Sequence, residues 1–452
     1  MSRGLSRRAA GALFALVLPA CVLSGCASYR AAPLEPLADA TLRGPALAAM
    51  VAPAASFRNP VLQPVAIDPS QPLTPDALAI IAVLANPDLK AARAKARVSS
   101  AQAFQAGLLP DPTVNLGYDF RLSGPDPQNG WAAALAYELT ALRDRGVAMR
   151  SAGGAERQVR LDLAWQEWQT AEQAKLLAVR IAGLQTAARL GADTKAEADG
   201  ALSRTLQAAA RGDLKADDIE TRRLATLDAS DKLAAAQKDL GGAWLDLNRL
   251  LGLPPQTPLS IAFAAPAPAQ TAEALFDRAR DQRLDLKALQ AGYESSNADV
   301  RKAIYDQFPS FQLTVNRAKD TAGTQTIGPA INFTLPVWNR NHGGIRIAEA
   351  TREQLKAEYA ARVFAARADI AELVETLALA QRQRAEAQAQ IGAIRRVAEA
   401  TAAAAAHGDV AQAAADTAQQ ILRDKETALA ALDQSIAEQT ISLELATGGP
   451  LP

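Results

Sequence analysis

The chain has 452 residues, enough for two or three ordinary globular domains, and 49% of them are hydrophobic while only 5% are aromatic. Long tracts of Ala, Leu, Gln, Glu, Arg and Lys favour extended helices over compact cores. Basic and acidic residues balance at 48 each, so the overall charge gives no reason to expect nucleic acid or an anionic surface as the partner.

The first 26 residues form an export signal. Arg3, Arg7 and Arg8 make a basic start, an apolar stretch runs from Ala9 to Leu23, and Leu23-Ser24-Gly25-Cys26 follows. This is the pattern of a bacterial lipobox, with residues 1–25 removed and Cys26 the lipid-bearing first residue. The alternatives are a plain secretory signal or a short membrane anchor, and the apolar stretch is short for a spanning helix. Cys21 falls in the removed segment, which leaves Cys26 alone and allows no intrachain disulfide. Residues 26–75 are a Pro-rich, weakly patterned arm.

A shift of 197 positions lays Asp88-Leu89-Lys90-Ala91 on Asp285-Leu286-Lys287-Ala288, Pro112 on Pro309 and Leu116 on Leu313. One position less pairs Leu139 with Leu335, Gly212-Asp213 with Gly408-Asp409, and Gly252 with Gly448. Scattered Ala matches could be coincidence between helical tracts, but Pro and Gly kept in register over half a chain predict one unit occurring twice, at 76–254 and 271–450. The Pro-rich segment 255–270 links the two, and both it and the arm are expected to pack on the outside of the body.

Each unit opens with a helix of roughly 30 residues, over 76–107 and 271–307, ending shortly before Pro110 or Pro309. The period then changes to two. In 113–122 the apolar side is Val114, Leu116, Tyr118, Phe120 and Leu122, and in 131–140 it is Trp131, Ala133, Leu135, Tyr137 and Leu139. Strands over 310–317 and 326–337 repeat the alternation, with Pro329 and Pro336 weakening the last. Four such strands of about ten residues have the length and dyad pattern of a transmembrane β-barrel. A soluble sheet with one wet face would alternate in the same way. Four strands cannot close a barrel in lipid, where about eight are the minimum, so copies of the chain must pool them.

Long helices over 146–210 and 344–407 follow, each about 100 Å at 1.5 Å per residue. They end at the Gly turns Arg211-Gly212-Asp213-Leu214 and His407-Gly408-Asp409-Val410, from which helices of about 38 residues return. The stripe Leu240, Trp244, Leu247 and Leu251 marks the packed face of the first returning helix. A long helix beside two shorter ones end to end makes a uniform wall. A filamentous coiled coil is the alternative, and the inserted strand pairs argue against it.

Asn86-Pro87-Asp88-Leu89-Lys90-Ala91-Ala92 with Gln105-Ala106-Gly107-Leu108-Leu109-Pro110-Asp111-Pro112 resembles the opening signature of the TolC-like outer membrane factors. Phe333-Thr334-Leu335-Pro336-Val337-Trp338-Asn339-Arg340-Asn341, then Gly344 and Ala348, resembles the pattern at the end of that family's last strand. The resemblance covers residues 70–450. It implies a mainly α fold with a small β part: a trimeric 12-stranded outer-membrane β-barrel continued by a long periplasmic α-helical barrel. Further implications are a passive conduit in a tripartite efflux system and tip residues Gly212, Leu214, Gly408 and Val410 docking on a periplasmic adaptor that carries an inner-membrane pump. The Asn339-Arg340-Asn341 region is most similar to the heavy-metal efflux branch. Asp213 and Asp409 depart from the family, which commonly has a hydrophobic or hydroxyl residue there, and Asp218 matches an acidic position of its tip. Acids at a narrow mouth would favour cations, although Asp213 and Asp409 could equally cap the returning helices.

Catalytic chemistry finds little support. His342 and His407 are the only histidines and no second mature Cys exists, so the usual soft or imidazole metal sites cannot be built. The adjacent acids Asp217 and Asp218 diverge by about 100° on a helix. No enzyme activity, cofactor or nucleic acid is expected. Within transport, metal ions, drugs or a secreted polypeptide remain open as cargo, type I secretion being the alternative to efflux. A structural periplasmic lipoprotein without a pore is the rival from another class.

Overall fold

The computed structural model describes residues 29–34, 42, 44, 47–68, 70–212, 216–262 and 271–451. Cys26, Asp213 and Leu214 therefore lie outside the described residues. The chain divides into two compact units, Met1–Gly44 and Pro45–Pro452. Among the described residues, the second unit holds every strand and every long helix.

After a short turn of 3₁₀ helix at Leu47–Met50, the helices are α1 (Val51–Ala55), α2 (Pro75–Ala85) and α3 (Pro87–Ala106). Strands β1 (Thr113–Asp119) and β2 (Gly130–Glu138) lead into α4 (Thr140–Ala210) and α5 (Ala216–Leu250). The second half holds α6 (Ala272–Gln282), α7 (Leu284–Tyr305), β3 (Phe311–Lys319), β4 (Gln325–Phe333), α8 (His342–His407) and α9 (Gln412–Thr447). At 1.5 Å per residue, α4 and α8 span about 105 and 100 Å, and α5 and α9 about 53 Å each. α5, α2, α3, α7 and α9 all pack against α4, while α6, α7 and α9 pack against α8.

Each opening helix expected from the sequence is two. Thr74 caps α2 by accepting from Ala77 N–H at 3.2 Å, with Pro75 in the first turn. Pro87 then forces Asn86 out of the helical region to ψ 125°, and the freed Asn86 side chain caps α3 by accepting from Leu89 N–H at 3.0 Å. No proline marks the second break, at Arg283 (ψ 119°). There the guanidinium donates to Asp285 Oδ1 (3.0 Å) and Oδ2 (2.8 Å) and to the Ala446 carbonyl (3.0 Å), and it stacks over Trp165 at 4.9 Å.

Both breaks are tied to the end of a returning helix. Asn86 Nδ2 donates to the Leu250 carbonyl at 3.0 Å, as Arg283 does to Ala446. Gly252 (φ 64°) and Gly448 (φ 76°) follow those helices and press on the breaks. A Cβ on Gly252 would stand 2.8 Å from the Ala85 carbonyl oxygen, and one on Gly448 would stand 3.0 Å from Arg283 Cα. Only glycine combines that conformation with that approach.

The main core joins α2, α4 and α5 through Ile80, Ile81, Trp168, Ile181, Leu247 and Leu251. The arm contributes Met50, Ala54, Leu62, Ile67 and Leu73 to the same core. A parallel bridge pairs Leu73 with Ile261, so the arm and the start of the connector meet on this face. The second half has a smaller core of Leu275, Ala279, Ile370, Leu377, Leu443 and Ala446.

Candidate functional site

The strands form one antiparallel sheet in the order β1-β2-β3-β4. β1 stops at Asp119, three residues before the expected end, where Arg121 N–H turns to the Asn129 side chain at 3.0 Å. β4 stops at Phe333, ahead of Pro336, and within the chain it is an edge strand that carries Pro329 opposite Val315. Leu139 alone separates β2 from α4, so that helix begins six residues earlier than the periodicity suggested.

Register turns the alternation of single strands into two continuous faces. Val114, Leu135, Val315 and Pro329 stand in one row, and Tyr118, Trp131, Lys319 and Gln325 in another. Nearer the helices the same face carries Tyr137, Leu313 and Ile331, then Phe311 against Phe333 with ring centroids 6.2 Å apart. The eight residue steps of β3 from Phe311 to Lys319 cover about 26 Å, on the scale of the roughly 25 Å apolar band of an outer-membrane barrel. The opposite face has rows such as Asn115, Ala134, Asn316 and Gly328, or Thr113, Ala136, Thr314 and Ala330. It holds no aromatic and no aliphatic side chain larger than alanine. Its charges are Asp119 and Glu138, whereas Arg317 and Lys319 belong to the apolar face, Arg317 lying 5.8 Å over the Trp131 ring.

Among the described residues the apolar face is left largely open: Leu116 is 80% exposed and Ile327 75%. β1 and β4 each have one unpaired edge.

The two hairpin tips lie at one end of the helices. Gly212 N–H donates to the Ala209 carbonyl at 2.9 Å and has φ 84°, and Gly408 has φ 82°. Asp409 does not cap α9, whose N-cap is Ala411 without a side-chain bond; its backbone N–H instead donates to the Ala404 carbonyl at 2.9 Å and closes α8. Val410 is 40% exposed, and Asp218 sits in the first turn of α5. About two turns from each glycine, Arg204 of α4 meets Asp416 of α9 at 2.7 Å, and Arg222 of α5 meets the same carboxylate at 3.3 Å.

That pair is one rung of a seam the sequence reading did not single out. Lys175 meets Glu444 (3.2 Å), Arg180 meets Glu438 (3.2 Å), and Arg423 meets Glu197 (2.6 Å). Each step forward on α4 is matched by a similar step back on α9, as antiparallel helices require. The seam's innermost member is a buried cluster. Lys175 Nζ also lies 3.0 Å from Glu172 Oε1, off the hydrogen-bonding direction, and 3.3 Å from Asp76 Oδ1, with Trp168 at 5.8 Å. Burial pushes the Glu172 carboxyl up to about 8, against the pull of Lys175. Burial works against the Lys175 ammonium, but its carboxylates prevail and its pKa is raised. With one cation facing three carboxyls, the least exposed, Glu172, keeps its proton, and Glu444 and Asp76 balance Lys175.

Among the described residues no cluster of three His, Cys, Asp or Glu side chains could hold a metal ion, and no helix is long and apolar enough to cross a membrane.

Long helical hairpins joined to a small antiparallel sheet with open edges define the fold of the outer-membrane channels. CusC, in crystal structures concerned with folding and transmembrane channel formation, matches with TM-score 0.69 at 17% identity over 88% of this chain and 99% of that one. The outer membrane protein VceC of Vibrio cholerae matches with TM-score 0.69 at 16% identity, covering 84% and 97%. The CmeC outer membrane channel of Campylobacter jejuni gives 0.70 at 15%, covering 83% and 85%. A family described as outer membrane efflux protein matches residues 275–449, most of the second half. No curated protein sequence matches the chain.

Proposed function

We propose that the chain is one protomer of an outer-membrane export channel, three copies pooling their strands into a twelve-stranded barrel that their helical hairpins continue into the periplasm. The observation that carries this reading is the sheet register, which puts every large apolar side chain on one face and leaves only small or polar ones on the other. In lipid the unpaired edges of a four-stranded sheet have no partner but another copy, and a cyclic trimer reaches twelve strands. The fold shared with outer-membrane channels and the family match over residues 275–449 support the same reading.

The conduit is passive. It receives substrate from an inner-membrane pump through a periplasmic adaptor, which docks at Gly212, Leu214, Gly408 and Val410, while Asp213, Asp218 and Asp409 line the aperture. Cys26 carries the lipid that tethers the arm to the outer membrane. Cross-linking in mild detergent is expected to give a trimer, and planar bilayers to show stepwise conductance. A stable membrane monomer without conductance would overturn the channel and leave a structural lipoprotein.

A further inference from the structure

β2 passes into α4 through one residue, whereas β4 reaches α8 only after residues 334–341. The longer passage is ordered. Val337 N–H donates to the Leu335 carbonyl (2.9 Å), His342 N–H to the Asn339 carbonyl (3.0 Å), and Asn341 Nδ2 to the Ala303 carbonyl (2.9 Å). Arg340 (φ 44°) and Asn341 (φ 51°) are consecutive left-handed residues, a strained pair that persists only where the surroundings hold it.

What this passage displays is apolar. Leu335 is 65% exposed, Val337 58% and Trp338 96%. Leu335 and Val337 follow directly on the apolar Ile331 and Phe333 of β4, although the ladder itself ends at Phe333. Spare positive charge follows at once. Arg340 and Arg346 are exposed and form no ion pair among the described residues, and no acid occurs after β4 until Glu349. At the β2–α4 junction, by contrast, Arg143 is held by Asp144 at 2.7 Å and Arg145 by the Gly107 carbonyl at 2.8 Å.

An exposed tryptophan with aliphatic neighbours and unpaired arginines has the composition of a membrane interface, where aromatic rings sit at headgroup level and basic side chains attract anionic lipid. On the barrel reading above, we propose that residues 335–346 are a docking site for anionic phospholipid of the periplasmic leaflet. Trp338 lies at the headgroup boundary, and Arg340 and Arg346 lie on the phosphates.

The test uses the full-length trimer with phosphatidylglycerol and phosphatidylcholine at equal concentration, retained lipid being counted by native mass spectrometry. The wild type is expected to prefer phosphatidylglycerol, and Arg340→Gln with Arg346→Gln to lose about fivefold of that preference per arginine, near 1 kcal/mol each. Brominated phosphatidylglycerol is expected to quench the wild type more than Trp338→Phe. Unchanged retention in the double variant overturns the proposal. So does a Trp338→Ala trimer that dissociates in lipid-free detergent, which would assign the passage to a seam between protomers. Conductance of the same samples separates the two levels: a conducting wild type without lipid preference overturns only this site, and a wild type that does not insert overturns the channel.

Discussion

Glu172→Gln tests whether the buried cluster at α4 behaves as its geometry requires. The Glu172 side chain is 1% exposed, and its carboxyl is pushed from 4.5 to about 8. Because its pKa is higher folded than unfolded, the folded chain binds more protons than the unfolded one between those values. Stability therefore falls as pH rises through that window and levels off above it. At 1.36 kcal/mol per pH unit, keeping Glu172 ionised in the folded chain costs about 4 to 5 kcal/mol. Glutamine imitates the protonated acid at every pH and leaves Glu444 and Asp76 to balance Lys175. An unfolding entropy of about 2.1 cal/mol/K per residue over roughly 400 residues makes that difference worth about 5 °C. The assay is helix melting of the detergent-solubilised trimer by circular dichroism at pH 5.5 and pH 9. At pH 5.5, one unit above the unfolded value, the variant is expected to melt about 2 °C higher, and at pH 9 about 5 °C higher. Parallel melting at both values would refute the buried, protonated carboxyl.

Gly252→Ala places a Cβ 2.8 Å from the Ala85 carbonyl oxygen at φ 64°; it is expected to cost about 2 to 4 kcal/mol in melting experiments. Gly241→Ala, in open space on α5, is expected to be neutral or to gain up to about 1 kcal/mol, and equal melting of the two would contradict the close approach. Asp218→Asn is expected to lower cation selectivity in planar bilayers, and unchanged selectivity in a stable trimer would retire the acidic aperture. Cys26→Ser is expected to abolish lipid attachment, read by mass spectrometry, while the trimer still inserts; failure to insert would make the lipid the sole anchor.

The sheet was legible because alternation with period two is local: a strand announces its two faces in ten residues, and pairing only has to bring like faces together. The α2–α3 break was legible in Pro87, although the sequence reading ran one helix through it, while the break at Arg283 has no local signal. Its cause is largely tertiary, an arginine paired with the nearby Asp285 and drawn to Ala446 and Trp165 from two distant parts of the chain. Glu172 was equally hidden. In a helix rich in Ala, Leu and Arg nothing in the spacing says which carboxylate will lie beneath α2 and α9. The seam between α4 and α9 could have been found by sliding one helix backwards along the other and counting opposite charges, a search that first requires knowing that the two are neighbours.

The two long helices are not equally self-sufficient. α4 buries fourteen of its 71 residues, packed by α2, α5, α7, α9 and the core the arm completes. α8 is nearly as long yet buries only six of 66, and Ile347, Phe364 and Val397 along it are 60% exposed or more. Surface alanines and charges could keep such a helix soluble, but large side chains exposed over about 100 Å gain nothing from water. The sheet has the same imbalance, an apolar face and two edges without partners. Both deficits belong to one problem, since a neighbouring copy that pairs with β1 or β4 also brings its helices alongside those that continue the sheet. On the barrel reading, assembly is the step at which the chain completes its own core, and destabilised trimers should expose α8 and the sheet edges before the arm-covered core around Trp168.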